Sequence, residues 1–280
     1  MKNAFKTLFR KQEKNAEYSK EHLRYLKKQT QKAWTINTIR VAVLLVILLV
    51  WELSATFGLV NPFITSSPSR IVKTIGELYQ NGSLFYHINT TLQETLLGFF
   101  LAVALGYSIA LLLWWSEIFR KISEPYLVVL NALPKIALGP LIIIWCGTGS
   151  KAIIFMTVLI GLIVAILNML SGFNATDENK LLLLKSMGAT KGQILTKLII
   201  PSSLPEFISM LKINVGMSWI GSIMGEYIVS KAGIGYLIVY GGQVFKLDLV
   251  MSAVLILCIL AALMYALVSL LEKLVVKNTR

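Results

Sequence analysis

Residues 92–115 read LQETLLGFFLAVALGYSIALLLWW, and after its first four positions this run contains no charged residue. Twenty-four residues in a helix rise about 36 Å, more than the roughly 30 Å of a bilayer's hydrocarbon core. Comparable apolar runs lie on either side of it, near 39–58, 126–146, 152–171, 206–229 and 249–271. The pattern predicts an all-α membrane protein with six transmembrane helices. Composition agrees: of 280 residues, 56% are hydrophobic and 15% charged, where a soluble domain carries roughly 25% charge. A water-soluble globule is thereby excluded.

The formal charge of +13 would suggest nucleic acid in a soluble protein, but its distribution assigns it otherwise. Eleven of the 27 Lys and Arg residues lie in 1–40, immediately before the first apolar run, which makes that stretch a cytoplasmic flank. With the amino terminus inside, segments 1–40, 116–125, 172–205 and 272–280 hold 20 cations, against 5 in 59–91, 147–151 and 230–248. Both termini are therefore expected in the cytoplasm of a multi-pass protein. The arm should be drawn to anionic headgroups of membrane lipids rather than to nucleic acid, and Phe5, Leu8, Phe9, Tyr18, Leu23 and Leu26 suggest an amphipathic helix. Its length is wrong for a cleaved signal, so the first apolar run is expected to stay as an anchor.

No chemistry-bearing constellation emerges. The sequence lacks GxxxxGK[ST] and any Gly-Lys dipeptide, so no phosphate-cradling loop of that type exists to bind ATP. His22 and His87 are expected on opposite sides of the membrane, and Cys146 and Cys258 sit apart in apolar runs as packing residues. Neither a catalytic residue nor a metal site is expected.

Two places inside the spans are costly in lipid. Lys135 lies in the third span within Asn131-Ala132-Leu133-Pro134-Lys135, and a cation at bilayer depth costs about 2.5–3.5 kcal/mol. Pro134 and Pro140 each remove a backbone donor and kink or break that helix. Either the third span faces a translocation pathway, with Asn131, Pro134 and Lys135 as candidates, or Lys135 snorkels to an interface. In the fifth span, Trp219 precedes Gly221 and Gly225, a pair that lets helices approach closely, and Glu226 follows. Glu226 is read either as an interfacial residue near the outer mouth or as a pathway acid paired with a cation, Lys135 being the one to test. Lys212, near the cytoplasmic start of this span, is expected to anchor at the headgroups.

The external segment 59–91 carries a helical pattern, Ile71, Ile75, Leu78 and Tyr79, after a Ser cap. The internal segment 172–205 is longer than a connector needs. Its apolar pattern, Leu181, Leu184, Met187, Ile194, Leu195 and Leu198, has Gly188 at the middle and Pro201 and Pro205 at the end. This helical hairpin either tethers two spans or docks on a cytoplasmic partner.

The stretch from Asp177 to Pro201 resembles the cytoplasmic EAA loop of binding-protein-dependent ABC importer permeases, E-A-A-x3-G-x9-I-x-L-P. Gly188, Leu198, Ile200 and Pro201 fall at the family spacing, with Leu and Ile exchanged, whereas Leu182, Leu183 and Leu184 replace the Glu-Ala-Ala triplet. Residues 134–141, 145–149, 225–227 and 233–238 are similar to the nitrate/sulfonate/taurine branch.

The resemblance spans 66–275. It implies a type I ABC importer permease fold: a basic arm (1–38), a first transmembrane helix (39–58) and a permease core of five helices (66–275) with coupling loop 172–205. It further implies a homodimer in the bacterial inner membrane, two cytoplasmic ATPase subunits that hold ATP and Mg, and an external solute-binding protein. The helix around 181–197 would be the coupling helix, with Gly188, Ala189 and Thr190 at the docking point. The solute implied is a small anion of the nitrate, sulfonate or taurine type, or a small heteroaromatic. An ion-gradient-driven secondary transporter is the competing reading, disfavoured by the absence of an evident inverted repeat.

Overall fold

The computed structural model describes residues 20–277, and all regular structure among them is helical. The amphipathic arm residues Phe5, Leu8, Phe9 and Tyr18 lie outside the described residues, as do the side chains of Leu23 and Leu26. The chain divides into two compact units, 1–69 and 70–280.

In the first unit, helix α1 (Lys20–Thr56) begins well before the apolar run, because the Lys- and Gln-rich residues ahead of it are themselves good helix formers. Its apolar part runs Trp34–Thr56. Asn61 caps a single turn, Pro62–Thr65, accepting from the Phe63 amide at 3.0 Å. The next helix, α2 (Pro68–Gln80), begins with Ser67 and Ser69 hydroxyls 2.9 Å apart, but its amide cap comes from elsewhere. Glu52 of α1 accepts from the Ser69 amide at 3.0 Å and hydroxyl at 2.7 Å, a carboxylate placed at the positive end of a helix.

The second unit is built on α3 (Ser83–Trp115), α6 (Ser150–Asn174) and α8 (Leu204–Val229). Phe99, Leu113, Ile166, Met169, Phe173, Met210 and Trp219 from these three form its main core. The Gly221 and Gly225 pattern brings backbones together: a Cβ on Gly221 would lie 2.5 Å from Thr157 Cα, and one on Gly225 3.0 Å from Ile153 Cα. A second core joins Leu84 of α3 to α9 (Ile234–Gln243) and α10 (Leu247–Lys277). There α2 is tied to α10 by Arg70 and Asp248 at 2.7 Å, and by the Ser252 hydroxyl donating to the Ile71 carbonyl.

Among the described residues, five helices are long and apolar enough to cross a membrane: Trp34–Thr56, Ser83–Trp115, Ser150–Asn174, Leu204–Val229 and Leu247–Leu274. The expected third span is instead a bent pair, with α4 (Glu117–Ala132) and residues 135–146 meeting at 86°, the geometry of a broken span or a re-entrant loop. Leu133 is extended (ψ 134°), the conformation that a following proline favours, so the helix stops at Pro134. It resumes as a 3-10 turn, Lys135–Leu138, and then α5 (Gly139–Cys146), with Pro140 in the first turn where no donor is lost. Lys212, read as a headgroup anchor, instead pairs with Glu272 of α10 at 2.5 Å.

Candidate functional site

The internal hairpin starts with Asp177 capping α7 (Glu178–Ser186) through the Asn179 amide at 2.9 Å. One side of α7 is spent inward: Leu181 and Leu184 pack on the main core. The other faces out, with Leu182 67% exposed, Leu183 59% and the following Met187 73%. Gly188 then takes φ 74°, a region where a side chain is strained, and a Cβ there would touch nothing; its conformation alone requires glycine. The Ala189 amide returns to the Leu184 carbonyl at 3.0 Å, and Ala189 packs on the core.

Thr190 opens the second limb with a reciprocal cap. Its hydroxyl accepts from the Gln193 amide, and Gln193 Oε1 accepts from the Thr190 amide at 2.8 Å. The limb runs through Lys191–Ile194 and a π turn, Leu195–Ile199, to Ile200–Ser202, reaching α8 after Ser203. The π turn stands just ahead of Pro201, which cannot supply an amide to the ladder. Ile194 and Ile199 are buried, Leu198 and Ile200 half-buried, and Pro201 exposed. The helix implied around 181–197 is thus two short limbs hinged at Gly188, the residue at the middle of the expected hairpin, because positive φ cannot continue a right-handed helix.

The charged positions within the spans are arranged differently from the pairing proposed on sequence. Lys135 donates from Nζ to the Asn131 carbonyl at 3.2 Å, one of those freed where α4 unwinds. Asn131 and Pro134 are exposed, Lys135 half-buried. Glu226, 1% exposed, accepts on Oε2 from the amides of Gly235 at 2.6 Å and Tyr236 at 3.3 Å. None of the four ion pairs among the described residues includes either residue, so the Lys135–Glu226 pair is not formed. Through Oε2, Glu226 offsets part of its cost in lipid by capping the start of α9, while its buried Oε1 has no hydrogen-bond partner among the described residues.

Two further residues, His87 and Thr91 at the end of the external segment, complete that cap, and Glu94 of the apolar run adjoins it. His87 Nδ1 accepts from the Gly233 amide at 3.0 Å, and Thr91 Oγ1 from the Ile234 amide at 2.7 Å. Glu94, 3% exposed, stands beside Glu226. Below them the Thr95 hydroxyl donates to Ser222 at 2.7 Å, and Asn214, Ser218, Ser222 and Glu226 recur every four residues along one buried stripe of α8. The rule that singled out Lys135, an ionisable residue in an apolar span, would have found Glu94 as well. Trp219 is also buried, with its indole N–H unpartnered. Among the described residues no cluster of three His, Cys, Asp or Glu could hold a metal.

Residues 96–280 match the family described as binding-protein-dependent transport system inner membrane component. The chain is 33% identical over 193 residues to the formylaminopyrimidine transport permease protein ThiX of Halalkalibacterium halodurans, covering 69% of this chain and 76% of that one. It is 26% identical over 232 residues to the taurine transport system permease protein TauC of Escherichia coli, covering 81% and 84%. Its fold is similar to a chain of the bacterial alginate ABC transporter, crystallised with an alginate pentasaccharide-bound periplasmic protein. There the TM-score is 0.62 at 13% identity, with 89% of this chain and 97% of that one covered.

Proposed function

We propose, from the premise that the chain belongs to the family of binding-protein-dependent transport system inner membrane components, that it is the membrane-spanning permease of an ATP-driven importer of a small solute. Two copies would form the path, two cytoplasmic ATPase subunits would hold ATP and Mg, and an external binding protein would deliver the solute. This chain then needs no cofactor and no catalytic residue. The relatives are ABC permeases, which leaves the gradient-driven carrier without support. TauC favours an aminosulfonate or related anion, and the higher identity to ThiX favours an aminopyrimidine as the second reading.

The observation that carries the proposal is the two-sided hairpin. Leu182, Leu183 and Met187 face out, where a groove on an ATPase would bury them, each worth about 1.5–3 kcal/mol when fully buried. Leu181, Leu184, Ala189 and Ile194 fix the same hairpin to the core of α3, α6 and α8, so force on the outer face reaches the spans. When ATP draws the ATPases together, the paired hairpins approach, and the second limb, through Leu198, Ile200 and Pro201, transmits that motion to α8. Asn131 and Pro134, exposed at the bend, and the half-buried Lys135 are proposed to face the path. Trp219 and Glu226, being buried, would support its wall from behind.

Co-purification from native membranes tests this reading. Wild type should bring an ATPase subunit with it; Gly188→Asp, which strains the positive φ, and Leu182→Asp, which charges the outer face, should lose it while inserting normally. Equal recovery from all three would remove the coupling role.

A further inference from the structure

Beside the hairpin, on its inward side, a cleft of about 520 Å³ separates it from the junction of α3 and α4. Its wall carries Trp114, Glu117, Arg120, Lys185 and Lys191 over an apolar floor that includes Leu181. The charges there do not cancel. Glu117 is engaged by Lys121 of its own helix at 2.9 Å, while Arg120 lies a loose 3.9 Å from Glu124. Among the described residues neither Lys185 nor Lys191 has an ion pair within 4.0 Å. Lys191 is held in place: its ammonium donates to the Trp115 carbonyl and stands 5.7 Å from the centres of both the Trp114 and Trp115 rings.

From this geometry we infer that the cleft is a binding site for the headgroup of an anionic phospholipid. Depth selects the source of the anion. Trp114 and Trp115 end an apolar span, where aromatic residues sit at headgroup level, and α4 leaves that level with Ile118, Phe119 and Ile122 exposed. A phosphate held here is therefore flanked by surface suited to acyl chains, which a soluble phosphate would leave bare. A lipid bridging Arg120 to Lys185 and Lys191 would pin the hairpin to the membrane plane. The site lies beyond the importer reading and does not depend on it.

The test uses the full chain purified in mild detergent, with bound lipid counted by native mass spectrometry through successive washes. Wild type should retain about one phosphatidylglycerol or cardiolipin per chain in preference to phosphatidylethanolamine. The triple variant Arg120→Gln, Lys185→Gln, Lys191→Gln should retain it about a hundredfold more weakly, at roughly fivefold per cation near a surface. The charge-conserving triple Arg120→Lys, Lys185→Arg, Lys191→Arg should keep it. Absence of selectivity in the wild type overturns the inference without recourse to any variant. So does unchanged retention in the neutral triple, or displacement of the lipid by millimolar inorganic phosphate, which would identify a soluble anion as the occupant. Loss of the ATPase with lipid retained would assign the cations to protein docking instead.

Discussion

Glu226 shows how one residue type acquires its role from what surrounds it. An acid within a span is costly wherever it lies, and that cost is met by a charge partner, by water or by backbone amides. Here amides meet it, because Gly233 takes φ 109° and its missing Cβ leaves room for the carboxylate, whose Oε1 would lie 2.6 Å from that atom. Glu226→Ala would leave the Gly235 amide buried without an acceptor, at about 1–3 kcal/mol, whereas Glu226→Gln keeps an acceptor and should cost less. The thermal midpoint of detergent-solubilised protein, followed by fluorescence-detected size exclusion, should rank wild type, Gln and Ala in that order. Equal loss in both would mean that charge, not the hydrogen bonds, holds α9. Gly221→Ala belongs to the same scale. Its Cβ would meet backbone of α6, which cannot rotate away, so about 1–3 kcal/mol of overpacking is expected in the same assay.

Elements were legible in the sequence where their signal is local. Five of the six apolar runs, the helix after Ser67 and the turn at Gly188 all stand in short windows and are found in place, whereas the run 126–146 is broken at 86°. What hydropathy could not reach is the polar continuation of a helix: α1 begins at Lys20 and α3 at Ser83, since their backbone ladders continue where the apolar signal stops. The caps on α2 and α9 are long-range, Glu52 and Ser69 being 17 positions apart and His87 and Gly233 146 apart, a separation no local pattern records. The hairpin's two faces give a test at this scale. Leu182→Asp should elute as the wild type does and fail only in holding the ATPase. Leu184→Asp, two residues on, puts a charge against the core and should lower the thermal midpoint by several degrees. If both behave alike, α7 does not present separate inner and outer faces. For the bent third span, Pro134→Ala removes the restriction that keeps Leu133 extended. Solute uptake should fall while the ATPase is still recovered, and unimpaired uptake would show that the 86° bend serves packing alone.

For the whole molecule, orientation follows from a sum that no single residue decides. Twenty cations on one set of loops against five on the other make the reverse insertion unfavourable, because each Lys or Arg resists translocation and the excess is spread over four separate inside segments. The proposed function depends on that sum: the hairpin would reach an ATPase only from the cytoplasm, and the segment between α8 and α9 would then lie outside. Lys185 in the hairpin and Lys231 in that outer segment are both exposed, which makes them reporters of the two sides. In a background with Cys146→Ser and Cys258→Ser, a membrane-impermeant maleimide should label Lys231→Cys in intact cells and Lys185→Cys only after the membrane is opened. Labelling of Lys185→Cys from outside would invert the molecule. It would place the apolar triad of Leu182, Leu183 and Met187 where no ATP is available, and the importer reading would fall with it.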